Sequence, residues 1–95
     1  SQSSNYTLQL SDKDRMVEIN SSSATAITIP TNASVAFPIG STITIMQAGT
    51  GQITISGAAG VTVNYTPSNI TRTRYSSATI IKRAENTWYL MGDLA

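Results

Sequence analysis

Apolar and polar residues alternate along most of this chain, and in its middle the alternation keeps one parity. Val35, Phe37, Ile39, Ile43, Ile45, Ile53, Ile55, Val61, Val63 and Tyr65 all occupy odd positions. A period of two is the mark of a strand with one buried face. The pattern predicts about nine short strands, at 6–10, 15–20, 25–30, 35–37, 42–47, 52–56, 61–65, 78–83 and 87–91. Between them lie the turn-rich segments SDKD, NSSS, PTN, FPIG, AGTG, GAAG, TPSN and AEN. Pro30, Pro38 and Pro67 fall at predicted strand ends or turns, where a missing N–H is tolerated. The expected fold is all-β: a small antiparallel sandwich or barrel with a central β-meander.

The stretch SVAFPIGSTITI, residues 34–45, sets the expected register. A two-residue turn at Gly40-Ser41 would pair Phe37 with Thr44 and throw apolar residues onto both faces. A three-residue loop Pro38-Ile39-Gly40 instead pairs Phe37 with Ser41 and Val35 with Ile43. Pro38 then has the φ of the first corner of a type I turn, and Gly40 takes the left-handed position of the bulge. Loops centred on Gly49 and Ala58 extend the rule, pairing Ile45 with Ile53 and Ile55 with Val61. The result is a four-stranded antiparallel meander over 34–65. A solenoid is not expected, because Ile27, Ile43, Ile53 and Val61 recur at unequal steps and a stacked coil needs a constant one. In this register Thr44, Thr54 and Thr62 form a row on the other face. Such a row reads as solvent-facing threonine of high strand propensity, or as a hydroxyl-rich surface for a sugar or a subunit.

Composition narrows the chemistry. Ninety-five residues read as one β domain, either by itself or as a C-terminal piece of a longer chain, with residues 1–5 as a flexible lead-in. The chain has no cysteine and no histidine, so thiolate sites, disulfides and the commonest general base are excluded. A formal charge of +1 gives no field for nucleic acid, and no apolar run reaches the length of a membrane helix. The carboxylates Asp12, Asp14, Glu18, Glu85 and Asp93 form no known catalytic or calcium pattern, and SDKDR reads as a solvated corner. No nucleophile-elbow, P-loop or dinucleotide motif occurs. The expectation is a protein that is not an enzyme and takes no cofactor or metal.

Three features remain as candidate contacts. TRTRY, residues 71–75, sets Arg72 and Arg74 on one face beside Tyr75, as a grip for an anionic or sugar ligand or as a charged edge. Five of the six asparagines, Asn5, Asn20, Asn32, Asn64 and Asn69, begin N-x-Ser/Thr sequons, although asparagine is also a turn residue. Trp88 alternates with Leu90 and would fill a core, or else stand exposed as a sugar platform. Lys82-Arg83 near Glu85 reads as surface charge.

Motif order over residues 6–95 carries a family resemblance. YTLQLSDKDRMVEINSSSATAITIP, then NASVAFPIGSTITIMQAGTGQITISGAAGVTVN, then YSSATIIKRAENTWYLMGDLA resemble a β-rich structural module of bacteriophage virion proteins, found in tail fibres, tail tips and related parts. The resemblance implies a non-enzymatic virion component that assembles as an oligomer, with a homotrimer as the first expectation, and has host surface glycans as a contact. The rivals are a capsid decoration protein that clamps neighbouring shell subunits and a stand-alone carbohydrate-binding domain. No catalytic residue comes with the resemblance, and the receptor-contact candidates stay at Arg72, Arg74, Tyr75, Thr44, Thr54 and Thr62.

Overall fold

The computed structural model describes residues 2–95, and Ser1 lies outside them. The chain is mostly β, in two open sheets. Its strands are β1 (Tyr6–Thr7), β2 (Met16–Ile19), β3 (Thr25–Ile29), β4 (Thr42–Gln47), β5 (Ile53–Gly57), β6 (Thr62–Asn64), β7 (Ser77–Ala84) and β8 (Thr87–Gly92), with a 3-10 turn at Leu10–Asp12. One sheet has the order β1-β3-β5, the other β2-β4-β7-β8-β6. Successive strands from β1 to β6 thus alternate between the sheets. The inward residues of both sheets form one apolar cluster, led by Ile27, Ile29, Ile43, Ile45, Ile53, Ile55, Ile80 and Trp88.

One register dominates. β2 runs parallel to β4 with Met16 beside Thr44 and Ile19 beside Gln47. β3 runs parallel to β5 with Thr25 beside Ile53 and Ile29 beside Gly57. Both pairings have the same offset along the chain, and the turns between the strands keep it. Ala48 N–H donates to the Ile19 carbonyl, Gly51 N–H to Ser21 and Thr25 N–H to Gln52. Residues 44–57 therefore repeat the path of residues 16–29 as one strand–turn–strand arch laid on another. Two glycines make the turn fit. A Cβ on Gly49 would strike the backbone of Ser21, and one on Gly51 the backbone of Ser23. Each glycine thus faces its own counterpart in the first arch.

This stack replaces the expected antiparallel meander. The strands of the three-stranded sheet all pair in parallel, and among the strand pairs of the described residues β4–β7 and β7–β8 are the antiparallel ones. Ile45 pairs with Val17 and Ala78, and Ile53 lies in the other sheet. The chain does coil. Its repeat is not the spacing between successive ITI segments, because each coil contributes one strand to each sheet. The expected strand at 35–37 is a loop, and the Pro38–Gly40 corner differs in its frame. Ser41 N–H donates to Pro38 O, so Ile39 and Gly40 are the corner residues and Gly40 has φ 92°. That is the glycine position of a type II turn. Phe37 pairs with no strand; its ring meets Trp88 edge-on, with centroids 5.5 Å apart.

Both ends of the stack are tied. At the first coil, Gln2 N–H donates to Glu18 O and Asn20 N–H to Gln2 O, while Asn5 Oδ1 accepts from Ala26 N–H. Gln2 and Asn5 thus tie the start of the described chain to β2 and β3. The SDKDR corner is also engaged. The Asp12 carboxylate accepts from Tyr6 Oη at 2.7 Å and from Gln9 N–H at 2.8 Å, holding β1 to the 3-10 turn. Burial, then this hydrogen bond and the carboxylate charge, push the Tyr6 phenol up to about 12.

Gly51→Ala is expected to lower stability by about 1–3 kcal/mol, the range for overpacking a filled site, because the obstacle is backbone. Chemical denaturation measures it, and an unchanged midpoint would show that the arches do not stack this closely. Alkali should act on Tyr6. Its protonated form is favoured in the folded state, so that contribution is intact below about pH 10 and is lost as pH rises towards 12. Tyr6→Phe should therefore flatten the fall in melting temperature between those limits; equal slopes would remove Tyr6 as the cause.

Candidate binding surface

The segment after β6 returns to the free edge of β5. Ile55 N–H donates to Asn69 O and Thr71 N–H to Ile53 O, an antiparallel bridge that continues the three-stranded sheet. The C-terminus then pairs with this segment through Arg72 N–H to Asp93 O and Ala95 N–H to Ile70 O. Beneath lies a buried polar knot. Gln47 stands where the first arch has Ile19, and its amide donates to Gly49 O while accepting from the Thr71 hydroxyl. Thr71 Oγ1 also accepts from Ile53 N–H at 2.9 Å. Each polar atom of this knot has a partner, as burial requires.

TRTRY is therefore a turn on a braced base, and its two arginines part company. Arg72 reaches back to Asp93 with Nε at 2.8 Å and Nη2 at 3.0 Å, and Ser76 Oγ donates to the same carboxylate at 2.7 Å. The Arg72 and Ser76 hydrogen bonds hold Asp93 below the usual carboxylate range, and Asp93 in turn raises Arg72. Arg72 braces the C-terminal strand. Arg74 instead donates from Nε to Ala48 O at 3.1 Å and lies over the Tyr75 ring, 4.9 Å from its centroid. Tyr75 is 68% exposed and has φ 70°, a conformation rare for a bulky residue. Ser76 N–H donates to Thr73 O and Tyr75 N–H to Gln47 O, and these bonds fix it there.

The expected threonine row does not form. Thr44 is on the outer face of the five-stranded sheet between Met16 and Thr79, with Thr79 Oγ1 3.4 Å from its own. Thr54 belongs to the other sheet, and Thr62 pairs with Thr87 on the strand at the far edge of the larger one. Parity holds for all three, but the arches carry them apart. Trp88 is 1% exposed and fills the core, so it is no platform.

Lys82 is not the surface charge expected of it. It is 2% exposed, and its ammonium donates to Asn32 Oδ1 and Phe37 O, both at 2.7 Å. It pins the loop after β3 to the sheet, and burial pulls its pKa down despite Glu85 nearby. The sequence signal for it is parity: Gln47 and Lys82 each follow inward residues, Ile43 and Ile45 or Ala78 and Ile80, in step. Asparagines at three sequons also serve the fold: Asn5 and Asn32 accept as described, and Asn69 Nδ2 donates to Ile55 O.

No family model, curated protein or solved structure matches this chain. The surface must be read from its own chemistry. Arg74 and Tyr75 offer a stacked cation and an aromatic edge on a rigid base, suited to a flat polar or apolar partner rather than to an enclosed small molecule. Among the described residues no pocket opens.

The strained turn makes a stability prediction. Glycine adopts φ 70° freely and alanine does not, so Tyr75→Gly should be more stable than Tyr75→Ala by about 1 kcal/mol. Equal unfolding midpoints would mean that the turn relaxes and is not held by Gln47.

Proposed function

We propose that this chain is a non-enzymatic structural module of a bacteriophage virion, part of a tail fibre or tip, that assembles as an oligomer and meets host surface glycans through Arg74 and Tyr75. One observation carries the reading beyond the motif resemblance. Several buried and half-buried polar side chains are engaged in holding the fold. Gln47, Thr71, Lys82, Asn32 and Asn69 each bond a carbonyl, an amide or one another, Asp93 holds Arg72 and Ser76, and Asp12 closes a turn. What is left outward is a braced aromatic knob and a broad sheet face, which are the parts of a shape-bearing, surface-contacting module. Three copies is the number the resemblance implies. Arg72, Thr44, Thr54 and Thr62 fall out of the proposed contact, because Arg72 is held by Asp93 and the threonines do not converge.

A capsid decoration protein is the second reading, favoured by the same uncovered sheet face, which would then clamp shell subunits.

Immunogold labelling of intact particles separates the two, with label on fibre or tip expected and label over the shell selecting decoration. The isolated domain should bind host cells, and Arg74→Ala with Tyr75→Ala should reduce binding at least tenfold while the melting temperature holds. Undiminished binding by the folded double variant would remove this knob as the contact. Absence of the chain from purified particles would remove the virion assignment.

A further inference from the structure

The outer face of the five-stranded sheet is not the solvated surface that strand alternation leads one to expect. Across four strands the register sets Met16, Thr44, Thr79 and Met91 in one row. The next row is Thr42, Ile81, Tyr89 and Asn64. On the other side Met46 lies beside Ser77. Met16 is 58% exposed, Met91 48% and Tyr89 42%, and Met46 and Ile81 are partly covered. Ile81, Tyr89 and Met91 adjoin on this pleated face as one apolar patch, with Met16 and Met46 standing across Thr44 and Thr79 from it, and exposed patches mark contact surfaces.

The charges on this face are few and polarised. Glu18 lies beside Met46, past one end of the apolar rows. Arg83 lies at the β7–β8 bulge past the other end, with its guanidinium carbon 5.9 Å from the Tyr89 ring centroid. Near the β2 side, Asp14 is paired with Lys13 at 2.7 Å, and just past the end of β8 Asp93 is held by Arg72. Glu85 sits in the β7–β8 turn, beyond the strand ends. Between Glu18 and Arg83 the one charged residue level with these rows, among the described residues, is Asp14, whose N–H donates to Thr42 O at the β2 edge and whose carboxylate is taken by Lys13.

We propose that this face is the contact between two copies of the chain, the methionine, isoleucine and tyrosine side chains of one face against those of the other, with Glu18 of each copy meeting Arg83 of its partner. The polarity runs along the strands. A rotation axis lying across the strands brings the acidic end of one face to the basic end of its neighbour, so a second copy has a complementary surface ready. Methionine suits such a contact because its side chain adapts to the surface it meets. This inference rests on the oligomeric part of the reading above and deepens it, since a twofold contact through one face joins two copies rather than the three that the resemblance implies.

Sedimentation velocity tests it on the parent chain, Met91→Glu, Ile81→Glu, Glu18→Lys, Arg83→Glu and the double charge reversal, with circular dichroism and thermal melting to confirm folding. The parent should be oligomeric. Met91→Glu and Ile81→Glu should sediment as folded monomers. Each single charge reversal should weaken association by about tenfold at low salt, and the double reversal should restore it. A monomeric parent overturns the proposal, as does an oligomer that both apolar-to-glutamate variants leave intact. An oligomer broken by Met91→Glu in a protein absent from particles would keep this contact and remove only the virion reading.

Discussion

The fold depends on backbone hydrogen bonds that run from one arch to the next at a single constant offset, the one that sets Met16 beside Thr44 and Thr25 beside Ile53. Parallel pairing needs a long connection, and here the connection is the rest of the coil. Once residues 16–29 and 44–57 share a path, several local features become obligatory. The turn of the second arch must pass so close to the first that Gly49 and Gly51 have no room for a side chain. The inward position that is Ile19 in the first arch is Gln47 in the second, at the last position before the turn. There its amide can satisfy Gly49 O and still meet Thr71. Thr25, stacked beside Ile53, is the less favourable consequence. Its buried hydroxyl has no partner among the described residues, and burial without a bond has a cost.

An arch stack of two coils would leave open edges, and unpaired strand edges invite further pairing. The remaining chain deals with them in different ways. β7 pairs antiparallel with β4 and turns back through β8, so the larger sheet grows by a hairpin instead of a third coil. On the smaller sheet, residues 69–71 and then the C-terminus extend β5, and the Arg72–Asp93 contact holds these two short pieces together. Gln2 and β1 cover the first coil. The charged pair is exposed and contributes little to stability by itself. Its value is positional, since Asp93 also takes the Ser76 hydroxyl and so sets the base of the Arg74–Tyr75 turn.

Most strand positions and most of the buried face were legible in the sequence, apart from the loop at 35–37 and the exposed Ile39 and Tyr65, and pairing was not. Ile43, Ile45, Ile53, Ile55 and Trp88 are inside as alternation requires. The identity of their neighbours is hidden for a simple reason. An antiparallel hairpin with an odd loop and a parallel stack with an even offset both place odd residues against odd residues. Parity therefore cannot separate Ile45 beside Ile53 from Ile45 beside Val17. The recurring ITI at 27–29 and 53–55 misleads further. Aligning its copies would set Ile27 beside Ile53, whereas the backbone sets Thr25 there. The glycine pair that permits the stack looks like ordinary turn chemistry, since what it approaches lies a whole coil earlier in the chain. Lys82 shows the same limit. Its inward parity is readable, but its acceptors, Asn32 and the Phe37 carbonyl, come from the distant loop between β3 and β4.

The candidate site divides along the same line. TRTRY is recognisable as a charged aromatic turn, but only tertiary structure distinguishes Arg72, which is consumed by Asp93, from Arg74, which stays over Tyr75. Tyr75 occupies a corner where glycine would be easier, and it does so above the fully partnered Gln47–Thr71 knot. Strain of this kind persists only when the surroundings over-determine it. A flexible loop would have relaxed to negative φ. The knob is thus rigid because it grows from the end of the second arch, whose position the first arch fixes. The outer sheet face belongs to the same framework, since its rows are set by the β2–β4 register. Display of Tyr75 and alignment of the apolar rows both follow from one stacking register, so a change that slips the arches would alter both surfaces together.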